Sequence, residues 1–126
     1  MSDALVTGIG GVFFRAKDPA ALQAWYKKHL DVGGPPHGLW FPGAGPSVFA
    51  PFKADTDYFG RADQQWMINL RVSDLDALMK KLSDAGITVE TRPDEWDVEG
   101  VGRFARVHDP EGNPIELWEP DPNAQP

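Results

Sequence analysis

Apolar and polar residues alternate strictly from Gln65 to Val72, with Trp66, Ile68, Leu70 and Val72 set against Met67, Asn69 and Arg71. That period of two predicts a strand with one buried face. Arg103 to His108 and Ile115 to Trp118 predict two more strands, and the turn formers Asp109-Pro110-Glu111-Gly112-Asn113 join them as a hairpin. The alternation puts Glu116 on one face and Ile115 and Leu117 on the other. Gly8 to Ala16 reads as a first strand, with Val12, Phe14 and Ala16 opposed to Gly11, Phe13 and Arg15. Shorter strands are predicted at Gly38 to Phe41, Ser47 to Phe52 and Ile87 to Thr91.

Two segments change to the helical period. Leu22, Trp25, Tyr26 and Leu30 form one apolar stripe after Asp18-Pro19, a pair suited to N-cap and first helical position, and Gly33-Gly34-Pro35-Pro36 ends it. His29 lies beside this stripe near the helix C-terminus, where an imidazolium suits the dipole. Leu75, Leu78, Met79 and Leu82 form the second stripe, with Ser73 as expected cap, Asp76 as the acidic member of a capping box, and Asp84-Ala85-Gly86 as the stop. The polar stretch Lys53 to Asp63 holds the pair Tyr58-Phe59, which either covers a pocket or anchors the loop; anchoring is the favoured reading. Trp96 stands in the acidic loop Pro93 to Gly100, and 121–126 reads as a frayed tail.

Phe14 to Leu22 (FRAKDPAAL) and Leu70 to Leu78 (LRVSDLDAL) match in type at most positions, pairing Arg15 with Arg71, Asp18 with Asp74 and Leu22 with Leu78. Each copy is a strand running into a helix. The chain therefore reads as two modules, about 8–60 and 64–120, folded together as one domain, since neither half could bury its sheet face alone.

Composition narrows the function. The 126 residues carry 19 acidic and 12 basic side chains, a net charge of −7, which disfavours nucleic acid and anionic lipid as partners. The absence of cysteine excludes disulfides, thiolate metal sites and a cysteine nucleophile. No segment resembles a signal peptide or a membrane span, so a cytoplasmic, soluble protein is expected. GIGG at 8–11 opens a strand where a dinucleotide fingerprint would follow one, so it is not read as a phosphate loop. Five Trp, seven Phe and two Tyr can fill a core or line a small-molecule site.

The paired strand-helix units and the ending HDPEGNPIELWEP resemble the vicinal oxygen chelate superfamily, which includes glyoxalase I, extradiol dioxygenases and bleomycin resistance proteins. The resemblance covers nearly the whole chain. It implies an α+β fold of two βαβββ modules forming a cupped mixed sheet around a small molecule, and commonly a homodimer. Metal-dependent members take ligands from the first and last strands of each module. Carried onto this chain, those positions fall on Gly11, near Phe49, on Met67 and on Glu116. Only Glu116 suits a divalent ion, so no tightly bound metal is expected; a divalent metal, with His37 or His108 rebuilding a site, is the alternative.

The same alternation sends Phe13, Arg15, Asn69 and Arg71 into the cup with Gly11 and Met67, and Trp118 with Glu116. Ligand-binding residues are thus expected to be Phe13, Arg15, Phe49, Met67, Asn69, Arg71, Glu116 and Trp118. The leading expectation is a protein that binds a small aromatic or cationic organic molecule. A metal-dependent lyase or isomerase resembling glyoxalase I, or a dioxygenase-like enzyme, would use Glu116 as catalytic base. An interaction protein whose cup is filled by its own side chains is the third reading.

Overall fold

The structure is a computed structural model that describes residues 6–35 and 37–123. Helix α1 (Pro19–Leu30) starts at Asp18, whose carboxylate accepts the Ala21 amide at 3.1 Å, and ends at Asp31 in the left-handed conformation. Helix α2 (Leu75–Asp84) starts the same way, with Asp74 accepting the Ala77 amide at 3.0 Å. The expected Ser73 cap is therefore corrected by one residue: Asp74, the repeat partner of Asp18, does the capping. Asp76 forms no capping box and instead pairs with Arg103 at 2.8 Å. A third helix, α3 (Pro93–Trp96), is a single turn inside the predicted acidic loop.

Strands β1 (Ile68–Arg71), β2 (Gly102–His108) and β3 (Pro114–Pro120) form one mixed sheet in the order β1-β3-β2, parallel between β1 and β3 and antiparallel between β2 and β3. The predicted hairpin is present, with Gly112 at φ +82 as its turn requires. Leu70, Ala105, Val107, Ile115 and Leu117 make the core face, against Leu22 and Tyr26 of α1 and Leu75 and Leu82 of α2. Burying each large aliphatic side chain contributes about 1.5 to 3 kcal/mol.

The first half differs from expectation. Gly8 to Ala16, Gly38 to Phe41 and Ser47 to Phe52 form no strand, and Ile87 to Thr91 contributes only a bridge between Glu90 and Arg106. A strand exists only where its backbone groups find partners, and these segments lie along no neighbour in the described chain. Some of their apolar side chains, Phe13 and Phe49 among them, face outward, whereas Ala16, Ile87 and Val89 pack against the core. Of the predicted tail, 121–123 follow β3 without further secondary structure, and 124–126 lie outside the described residues.

The hairpin turn clasps the two halves together. Asp109, 4% exposed, accepts the Tyr26 hydroxyl at 2.8 Å, the Glu111 and Asn113 amides at 2.9 and 3.0 Å and the Asn113 side chain at 2.8 Å. Glu111 accepts the backbone amides of Lys17 and Asp18, at 2.7 and 3.0 Å, just before α1.

Candidate functional site

The sheet face turned away from α1 and α2 carries the polar residues. Strand register sets Asn69, Glu116 and Arg106 in one row across the three strands, and Arg71, Trp118 and Phe104 in the next. Glu116 is half-buried, and both its oxygens are held: Oε1 accepts from Asn69 Nδ2 at 2.7 Å and Oε2 accepts the Tyr58 hydroxyl.

Arg106 packs against two aromatic rings, its guanidinium 4.7 Å from the Tyr58 ring centre and 5.1 Å from that of Trp96. Its Nη2 donates to the Tyr58 carbonyl at 2.6 Å and approaches Met67 Sδ at 3.7 Å. Among the described residues its buried Nε has no hydrogen-bond partner and the guanidinium forms no ion pair. Phe52 stacks on Tyr58 at 5.7 Å and 14°, and Trp96 meets Tyr58 edge-on at 6.3 Å. Burial foremost, then the hydrogen bond and charge of Glu116, push the Tyr58 hydroxyl above its ordinary pKa, with Arg106 opposing. Tyr58 is therefore a firm donor at neutral pH.

Of the residues predicted to line the site, Met67, Asn69 and Glu116 come together here. Trp118 is buried, stacked on Phe104 at 6.2 Å and donating to the Val101 carbonyl at 2.9 Å. Arg71 donates to the carbonyls of Gly43 and Pro46 and so ties that loop to the sheet. Phe13 and Phe49 are 96% and 91% exposed, and Arg15 is exposed, so these three pack into no site. His37 and His108 are exposed as well. The expected imidazolium at His29 is disfavoured: burial first, then Lys28 and Lys81, lower its pKa.

Sequence reasoning missed Tyr58 as a site residue, and with it Arg106 and Trp96. The alternation of β2 puts Arg106 on the same face as Phe104, and the hairpin register would have set it beside Glu116. Tyr58 and Trp96 arrive from loops, where periodicity carries no signal.

The residues do not fit the metal that some relatives bind. Glu116 is already engaged by two protein donors, and among the described residues no three His, Asp or Glu side chains gather into a potential ligand set. Two clefts open elsewhere, of about 310 Å³ beside Trp25, Ile87 and His108 and about 230 Å³ beside Leu30, Trp40 and Leu78; neither is lined by Glu116, Tyr58 or Arg106. No helix among the described residues is long and apolar enough to cross a membrane.

The chain belongs to the glyoxalase-like domain family, whose model matches residues 11–118. No curated protein matches the chain significantly. Among solved structures it is similar to the fosfomycin resistance protein FosX from Listeria monocytogenes, complexed with Mn(II) and sulfate, at 15% identity and a TM-score of 0.60, over 95% of each chain. It is also similar to a glyoxylase/bleomycin resistance protein/dioxygenase domain from Frankia sp. EAN1pec, at 17% identity and a TM-score of 0.57, over 93% of this chain and 100% of that one. TnmS3, an antibiotic binding protein from Streptomyces sp. CB03234, matches at 25% identity and a TM-score of 0.49, over 83% and 88% of the two chains. The FosX and Frankia likenesses bear on the fold alone.

Proposed function

We propose that this protein binds a small, flat organic molecule on the open sheet face around Glu116, without a tightly bound metal and without turning it over. The row Asn69-Glu116-Arg106 beneath the rings of Tyr58 and Trp96 carries this reading. It combines aromatic walls with a few fixed polar groups, the usual make-up of a small-molecule site. Glu116 spends both oxygens on Tyr58 and Asn69, which suits recognition better than proton abstraction. Arg106 already lies against the faces of Tyr58 and Trp96 that a cationic ligand would use, which favours a neutral ligand over the cationic one that surface charge suggests.

The reading includes a cytoplasmic homodimer. Among the described residues strand β1 pairs with β3 alone, leaving its outer edge open, and exposed apolar residues such as Val12, Phe13, Phe41 and Phe49 need cover. A second copy supplies both in an isologous contact. Light scattering on the eluting protein should give twice the chain mass.

Thermal shift against a panel of planar aromatic compounds tests the binding. A rise in Tm with at least one of them is expected, and no stabilisation by any would overturn the proposal. Stoichiometric sub-micromolar heat on titration with Mn(II), Ni(II) or Zn(II) would overturn the metal-free part. Chelator-sensitive turnover of a hemithioacetal would replace binding by lyase chemistry.

A further inference from the structure

Tyr58 sits on the open face as a ligand would. Its ring lies on the Arg106 guanidinium with Trp96 edge-on, and its hydroxyl donates to Glu116. The segment that delivers it belongs to no strand or helix. Residues 53–63 are held by local turns, with bonds from Thr56 N to Lys53 O and from Gly60 N to Asp57 O. The backbone of Tyr58 is tied to the sheet by the Arg106 bond to its carbonyl. Beside the ring, the buried Arg106 Nε–H has no acceptor among the described residues, an unfavourable state for a buried donor. Tyr58 thus satisfies the stacking surface and the carboxylate but leaves one donor unmet.

We propose, resting on the small-molecule reading above, that the ligand carries a hydroxylated aromatic ring which takes the place of Tyr58. The ring stacks on Arg106 against Trp96, the hydroxyl donates to Glu116, and a neighbouring acceptor on the ligand takes the Arg106 Nε–H. Tyr58 is then an internal competitor, and its release is part of binding. Affinity falls in proportion to the fraction of molecules in which the site is open. Weakening the Tyr58 contact therefore tightens binding, whereas a Tyr58 that only supported the site would weaken binding when altered.

The test uses 2-naphthol, with 2-methoxynaphthalene as the same ring without a donor, in calorimetric titrations of the full chain. Wild type should prefer 2-naphthol by about tenfold, the equivalent of ~1.4 kcal/mol. Tyr58→Phe keeps the ring packing but frees Glu116, and should bind 2-naphthol several-fold more tightly than wild type; Tyr58→Ala should do so too. Glu116→Ala should abolish the preference between the two probes. Unchanged or weaker binding by Tyr58→Phe, or a preference that survives Glu116→Ala, overturns the inference. If 2-naphthol binds none of these proteins while another planar compound raises the wild-type Tm, this inference falls and the binding function stands. If no planar compound does so, both fall.

Discussion

The Tyr26 hydroxyl donates to Asp109 at 2.8 Å, joining the first helix to the hairpin turn across 83 residues of chain. Both groups are buried, and Asp109 fixes the turn through three further bonds. The DPEGN segment is thus a clasp: Asp109 organises the turn and holds α1 from one side, and Glu111 holds its entry from the other. Tyr26→Phe removes the donor and leaves the carboxylate less satisfied. A loss of about 1 to 2 kcal/mol is expected, read as a lower urea midpoint with unchanged slope.

Alkaline pH acts on the same residue. Burial first, and then the hydrogen bond and charge of Asp109, raise the Tyr26 pKa above the ordinary tyrosine value of about 10. Above that value the unfolded chain releases the proton while the folded chain keeps it, so the folded state binds more protons and stability falls as pH rises. The stabilisation is complete below pH ~10. Urea melts between neutral pH and pH ~11 should show wild type losing stability faster than Tyr26→Phe; parallel losses would refute the assignment.

Glu111→Ala uncaps the amides of Lys17 and Asp18 without touching the core. A cost of ~1 kcal/mol is expected, in the range of a lost helix cap. Amide exchange should locate the change at the start of α1.

Two glycines of the hairpin region separate backbone strain from steric conflict. At Gly102, φ +144, an added Cβ would stand 2.2 Å from the Glu119 carbonyl oxygen and 2.6 Å from Trp118 Nε1. Gly102→Ala should cost on the order of 3 kcal/mol, because backbone must move. At Gly112, φ +82, the nearest atom would be the flexible end of Arg61 at 3.5 Å. Gly112→Ala should cost only about 1 to 2 kcal/mol, the penalty of the left-handed conformation. Thermal melts of the two variants give the comparison.

The second half was legible because its strands find partners within the chain. Alternation in Met67 to Arg71 and around Glu116 survives directly as sheet faces, and the repeat aligned Asp18 with Asp74, the two observed caps. The first half shows the same alternation at Val12 to Ala16, yet periodicity describes what a strand would bury, not whether a neighbour exists to complete it. The candidate site was half legible for a related reason. Asn69 and Glu116 follow from register, whereas Tyr58 reaches Glu116 over 58 residues from a turn-rich segment. Reading Tyr58 as an anchor comes closer to the structure than a set of strand-borne ligands that leaves it out.

The hairpin clasp has a kinetic consequence. Its bonds to the first half span 83, 93 and 94 residues, so they close very large loops, and the entropy of closing them is met only after local structure exists. The β2-β3 hairpin joins segments a few residues apart and can form early. On this ground docking of α1 is expected late in folding and its detachment from the Asp109 turn early in unfolding.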